Sequence, residues 1–293
     1  MGALIVKYIK SDFEKEVCTW FKKNHCTVLG FDQITKGKTG FSKRVTYIKA
    51  ALILKNQNYN PIIVFDDYDF FIACKIIGIN NIYLWMWNTI TNKKSEQIKL
   101  RISKTLGRVY SFDQGDCKKY NIRYNTQFYS FPDTQNTKSG DAVYDIFFIG
   151  KDKGRYDLIY RLANYLDESG ITYSFKVFSD SEKKFERKDL ITTDYLNYHD
   201  ICRLICQSNA VLDIVQDGQE GLTLRAMEAL FYDKKIVTNN THYIDLPFYS
   251  SESIYFLEDG LEGLKDFIEA PEVKYDETIK DYYSIENWLR RFQ

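Results

Sequence analysis

Two short segments combine glycine, cations and carboxylates in a way that suits a phosphorylated, hydroxyl-bearing ligand. The first is Gly150-Lys151-Asp152-Lys153-Gly154-Arg155, where the apolar run DIFFIG gives way to a helical pattern. Glycines there let backbone approach a ligand, and a following helix offers free N–H groups at the positive end of its dipole. With Lys151, Lys153 and Arg155 alongside, the segment suits a diphosphate. The competing reading is a solvated loop, because the segment is neither G-x-G-x-x-G nor a Walker sequence ending in G-K-S or G-K-T. The second segment runs from Gln216 and Asp217 to Leu230, after the run AVLDIV, and carries Gly221, Thr223 and Arg225. Glu220 and Glu228 are separated in it by seven residues. That spacing places one carboxylate in a Gly-flanked loop at a helix start and the other about two turns into the helix. A carboxylate accepts two hydroxyl hydrogen bonds at once, the geometry of a vicinal diol, so the pair suits a sugar and a ribose. The plainer alternative pairs Glu228 with Arg225 on a solvent-facing helix and leaves Glu220 as a helix-start acid.

A third group, Asp66-Asp67-Tyr68-Asp69, ends the run IIVF. Asp67-x-Asp69 has the D-x-D form that holds Mn²⁺ or Mg²⁺ against a diphosphate in GT-A transferases. The spacing arises easily in a chain this rich in aspartate, so Asp66 to Asp69 are read instead as helix-capping and acceptor-side residues, with no metal. Trp85 and Trp87 share one face of a strand, so both line a ligand cleft or both pack in a core. His25, His199 and His242 show no ligand spacing, and only His242, after the run KKIVTN, falls near a ligand. Six cysteines lack C-x-x-C spacing and read as reduced core residues, Cys202 and Cys206 on one helix face included.

What positions these groups is an alternation of short apolar runs and amphipathic stretches. Runs at 4–9, 26–31, 62–67, 81–87 and 108–113 alternate with helical patterns near 12–23, 42–57, 68–77, 92–106 and 114–121. After a polar, turn-rich stretch from Pro132 the alternation resumes at 145–150 and continues to a helix at 261–270, followed by an amphipathic helix over 281–292. Such a pattern predicts parallel sheets covered on both faces. The expected organisation is an N-terminal Rossmann-like domain over 1–140, a second over 141–280 facing it across a cleft, and a C-terminal helix over 281–293. Ligands in open α/β sheets sit at the carboxyl ends of strands, where all these loops fall.

The formal charge is zero, from 40 basic and 40 acidic residues, but residues 1–140 hold 22 basic and 11 acidic groups and residues 141–293 hold 18 and 29. Apolar residues at 44% and charged residues at 27% exclude a disordered, collagenous or disulfide-scaffold protein. No stretch reads as a membrane span or signal peptide, which predicts a cytoplasmic protein. Lys36, Lys38, Lys43, Arg44, Lys93, Lys94, Lys99, Arg101 and Lys104 cluster in two loop–helix segments and predict peripheral contact with an anionic membrane face.

The segment Glu220 to Glu228, followed by a Lys-Lys-Ile-Val-Thr run, resembles the E-x7-E signature of retaining GT-B glycosyltransferases. Q-x-G-L-T-x-R-x-x-E from Gln219 to Glu228 and the run IFFIGKDKGR are similar to bacterial lipopolysaccharide-core and capsular glycosyltransferases. The resemblance implies a metal-independent transferase moving a sugar from a nucleotide-sugar to a surface polysaccharide or lipid-linked glycan, with retention of configuration. It implies that Gly150, Lys151, Lys153, Gly154, Arg155, Gly221, Thr223, Arg225 and Glu228 bind the donor. Glu220 is then catalytic together with Asp66 and Asp67 on the acceptor side, where Trp85 and Trp87 also lie, and the C-terminal helix over 281–293 returns to the N-terminal domain as it does in GT-B enzymes. Rival readings are a catalytically silent homologue acting as a partner, and a metal-dependent GT-A-like enzyme using Asp67 and Asp69. Nucleic acid is not an expected partner, because no recognition motif accompanies the basic half.

Overall fold

The structure, a computed structural model, describes residues 2–132, 142–179, 185–216 and 218–292. The chain forms two compact units, Met1–Thr126 with Ser284–Gln293, and Gln127–Tyr283. The boundary expected at 140/141 lies outside the described residues. The units divide earlier because Tyr129 and Phe131 pack on Phe231 of the second unit, at 4.9 and 5.7 Å between ring centroids.

The first unit contains β1 (Leu4–Lys7), α1 (Asp12–Lys23), β2 (Thr27–Gly30), α2 (Phe31–Thr35), α3 (Gly40–Lys55) and β3 (Ile62–Phe65). It continues with α4 (Tyr68–Ile77), β4 (Ile82–Met86), α5 (Lys94–Leu106), β5 (Arg108–Ser111), α6 (Gln114–Tyr120) and β6 (Arg123–Tyr124). All its strands pair in parallel, in the order β2-β1-β3-β4-β5-β6. β1, β3 and β4 are buried along their whole length, which is why β3 and β4 read as unbroken apolar runs and β1 as one that ends on the buried Lys7. Helix starts follow local chemistry: Ser11 and Glu14 form a capping box on α1, and Asp67 accepts the Phe70 N–H at the head of α4.

The second unit contains β7 (Tyr144–Lys151), α7 (Tyr156–Ser169), β8 (Tyr173–Phe178), β9 (Ile191–Thr192), α8 (Tyr198–Cys206) and β10 (Ser208–Asp213). After these come α9 (Leu224–Phe231), β11 (Lys235–Thr238), β12 (Ile254–Phe256), α10 (Leu264–Glu269) and α11 (Glu277–Tyr282). The sheet order is β12-β11-β10-β7-β8-β9, again with parallel pairing. Counted from β9, this is the 3-2-1-4-5-6 Rossmann order, whose strand order reverses between β7 and β10. In the first sheet the reversal lies between β1 and β3.

The single helix expected over 281–292 is two short ones, α11 and then α12 (Ile285–Arg290), because Ser284 breaks the run and caps α12 through the Asn287 N–H. The chain end belongs to the first unit. There Trp288 lies among Phe21, Phe65 and Trp85 with ring centroids 5.3–5.9 Å away, and the Phe292 ring lies tilted 4.9 Å from that of Tyr110. Among the described residues, no helix is long and apolar enough to cross a membrane.

Candidate functional site

At the switch point of the second sheet, β7 ends at Lys151, and Lys153 and Gly154 both take positive φ (45° and 83°) before α7 begins. Asp152 holds the turn. Its carboxylate accepts the Tyr156 N–H at 2.9 Å and its carbonyl accepts the Arg155 N–H at 2.8 Å. The N–H groups of Lys153 and Gly154 have no acceptor among the described residues, and both residues are exposed. Lys151 and Lys153 make no ion pair among the described residues; burial first, then Arg155 and Lys151, push the Lys153 ammonium below its ordinary value. Arg155, expected to face a diphosphate, instead donates to the carbonyls of Ile214 (2.9 Å), Asp152 (3.2 Å) and Lys151. Its fork of donors matches three backbone acceptors, so it is a strut. Gly150 leaves room beneath it, since a Cβ there would lie 3.0 Å from the Arg155 Nη2 and 3.2 Å from the Phe148 ring.

The other half of the site follows β10. Asp213, the last residue of that strand and missed by sequence reasoning, is buried and accepts hydroxyl hydrogen bonds from Thr223 (2.8 Å) and Tyr243 (2.7 Å). Thr223 also caps α9 through the Ala226 N–H. Burial raises the Asp213 pKa against the pull of both hydroxyls and of Arg225 and Arg155. A lone aspartate inside an apolar strand was the available signal. Arg225 donates to Glu228 at 2.5 Å and to the Ile149 carbonyl at 3.2 Å. Arg155 therefore grips the end of β10 while Arg225 grips the end of β7, cross-bracing the two strands that flank the switch point.

Glu228 departs from both sequence readings. It is wholly buried, so it presents no surface to a ribose, and its pair with Arg225 is interior rather than solvent-facing. The helix begins only at Leu224, which puts Glu228 one turn in, on the side packed against α8. Its Oε1 makes no hydrogen bond of normal geometry, and burial raises its pKa despite Arg225 and the Tyr198 hydroxyl. Glu220 is half-buried in the loop, its carboxylate 3.8 Å from His242 Nε2 and its carbonyl held by Asn240. Gly221 is buried in the turn before α9, and Asp217 lies outside the described residues.

In the first unit, Asp66 takes φ 54° and accepts N–H bonds from Trp87 (2.7 Å) and Asn88 (3.3 Å) and the Asn88 side-chain amide (2.8 Å). Burial lifts its pKa to about 6. Asp67 is saturated: besides capping α4 it receives Tyr47 (2.7 Å), Tyr8 (3.0 Å) and Lys43 (3.5 Å) on Oδ2. Asp69 is held by Lys99 at 2.7 Å. These donors occupy the oxygens a D-x-D metal site would use. The three aspartates do border a polar hollow of about 330 Å³ with Asn88, Glu96 and Lys99. Trp85 is not a cleft residue, because Trp288 covers it, and Trp87 is half-buried against Phe13 and Phe65. The two indoles differ because β4 ends at Met86, so the strand's alternation no longer governs Trp87.

No protein-family model and no curated protein matches the sequence. Solved structures do. A glycosyltransferase from Rickettsia africae ESF-5 matches with a TM-score of 0.56 at 10% identity, over 99% of this chain and 96% of that one. The UDP-GlcNAc 2-epimerase from Methanocaldococcus jannaschii matches with a TM-score of 0.54 at 10% identity, over 99% of both chains. Anabaena HepE, in complex with UDP, matches with a TM-score of 0.53 at 10% identity, over 99% of this chain and 98% of that one. At such identity the likeness is one of fold: two α/β units with six-stranded parallel sheets, the GT-B type.

Proposed function

We propose that this chain is a nucleotide-sugar enzyme, a glycosyltransferase that seats the donor diphosphate at the β7/β10 switch point without a metal ion. One observation carries the reading: the cross-braced strand ends present two lysines without ion pairs and two N–H groups without acceptors among the described residues, an arrangement that attracts an anion. Lys151 and Lys153 would stabilise the charge that develops on the leaving nucleotide diphosphate. Gly150, Gly154 and Gly221 give the backbone its close approach, and Thr223 fixes the head of α9. Arg155 and Glu228 act by holding the frame and Arg225 in place. Glu220, beside His242, would orient the transferred sugar. The acceptor would be a surface polysaccharide or a lipid-linked glycan.

Calorimetric titration with UDP, GDP, CDP and dTDP tests this. One of them should bind, and Lys151→Ala with Lys153→Ala should weaken it at least tenfold, about 1.4 kcal/mol, without moving the melting temperature. A wild-type chain that binds none of them is a silent homologue. The fold it shares with the Methanocaldococcus jannaschii UDP-GlcNAc 2-epimerase favours a second reading, inversion of the sugar within the bound nucleotide-sugar. Mass and NMR analysis of UDP-GlcNAc incubated without acceptor separates them, since only an epimerase yields the C2 epimer.

A further inference from the structure

α3, α4 and α5 lie side by side over one core cluster of the first unit, and what they bury is ordinary: Tyr47, Ala51 and Leu54 from α3, Phe70 and Phe71 from α4, Leu100 from α5. What they expose is not. Phe41, Val45, Ile48 and Leu52 follow one another at helical spacing along the outer side of α3, all exposed, with Phe41 81% accessible. Ile76 on α4, 73% accessible, and Ile98 and Ile102 on α5 extend the apolar surface. A soluble face does not carry four large apolar side chains in register without a partner.

The charge around this stripe identifies the partner. α3 contains no Asp or Glu, and Arg44 and Lys49 are exposed on either side of the stripe. Lys36 and Lys38 precede it, and Lys93, Lys94 and Arg101 are exposed at α5. Of the nine basic residues that the sequence grouped here, Lys43, Lys99 and Lys104 are turned to Asp67, Asp69 and the Tyr120 carbonyl. The remaining six stay exposed. On the far flank of α3 a hollow of about 450 Å³, lined by Leu29, Ile34 and Ile53, has Lys36, Lys38 and Lys49 among its walls. A second copy meeting this face through the same residues would set cation against cation. An apolar stripe bordered by cations and lacking anions complements an anionic headgroup layer over acyl chains.

We propose that α3, with Ile76, Ile98 and Ile102 beside it, seats the first unit on an anionic lipid surface, the stripe entering the acyl boundary and Arg44, Lys49, Lys36, Lys38 and Arg101 meeting headgroups. The inference stands independently of the nucleotide-sugar reading.

Flotation of the full chain with vesicles of phosphatidylcholine, alone or with phosphatidylglycerol, tests it. The chain should float with the anionic vesicles and stay behind with the neutral ones. Phe41→Ser with Leu52→Ser, and separately Arg44→Glu with Lys49→Glu, should each lower the partition coefficient at least tenfold at unchanged melting temperature. Phe41→Trp should blue-shift on anionic vesicles and be quenched by brominated acyl chains. This readout serves even if the paired serine variant fails to fold. Equal partition into neutral vesicles, wild-type binding by the serine variant, or an unshifted Trp spectrum would overturn the proposal. So would a wild-type dimer in sedimentation that the serine variant dissolves, since that result assigns the face to a second copy.

Discussion

The two sheets reverse strand order at equivalent places, yet the chain treats those places in opposite ways. Between β1 and β3 the polar groups satisfy one another: Asp67 takes two tyrosines, a lysine and a backbone N–H, and Asp66 ties the β3 end to the segment after β4. Between β7 and β10 the arginines are spent on bracing strands. Two lysines without ion pairs and two N–H groups without acceptors are left over among the described residues. A switch point is a place where a ligand can sit; the groups the fold leaves unsatisfied determine whether it offers a ligand anything.

The contrast can be broken most forcefully at Glu228. Glu228→Ala leaves the mostly buried Arg225 without its anion and should cost about 3–5 kcal/mol of stability in urea unfolding, because a buried charge loses its partner. Glu228→Gln, which keeps an acceptor, should cost distinctly less. If the alanine variant melts like wild type, the interior brace is not holding the site. Next comes Asp67→Ala. It strips the cap from α4 and leaves the Tyr47 hydroxyl without its acceptor, for about 1–3 kcal/mol, while nucleotide affinity stays at the wild-type value. A parallel loss of nucleotide affinity would erase the distinction between the two switch points.

The smallest effect is a pH dependence. Burial lifts the Asp66 carboxyl to about 6 from its ordinary 3.8, so the folded chain holds this proton more tightly than the unfolded chain does. The stability it contributes is full below pH 4 and is lost as pH rises toward 6, on the order of 1–2 kcal/mol for a group partly open to water. Asp66→Asn removes that dependence. The melting temperature of the variant relative to wild type should therefore move in the variant's favour by a few degrees between pH 4 and 7. A constant offset across that range would show that Asp66 titrates normally.

The alternation of elements was legible because a parallel strand covered on both faces is apolar nearly throughout, as IIVF in β3 and IYLWM in β4 are. β9 was missed because two residues, Ile191 and Thr192, carry no period. The residues from 281 to 292 read as one helix because their apolar spacing runs on through Ser284, whose capping role shows only in three dimensions. The two glycine-bearing loops were found because glycine and charge beside a strand end are visible in a string of letters. The roles within them were not. A sequence does not say whether an arginine faces solvent or three carbonyls, so Arg155 was assigned to the ligand. Nor does it say which side of a two-turn helix is interior, so Glu228 was given a ribose. Asp213 and Tyr243 join the site only through partners ten and thirty residues away from Asp213.

The placement of Trp288 has a consequence for how the protein is made. The strands of the first sheet are all synthesised by Tyr124, but the indole that covers Trp85, Phe21 and Phe65 belongs to Trp288, beyond the whole of the second unit. A ribosome working at roughly 5–20 residues per second spends on the order of 10 to 30 s producing what lies between. For that interval the earlier-made unit waits with an uncovered aromatic face while the later-made unit can already close its own core. Any product that stops short of α12 leaves that face uncovered, so a chain cut before Trp288 should be one that chaperones and proteases recognise. The separation between Tyr124 and Trp288 thus sets a delay during which the N-terminal unit depends on such protection.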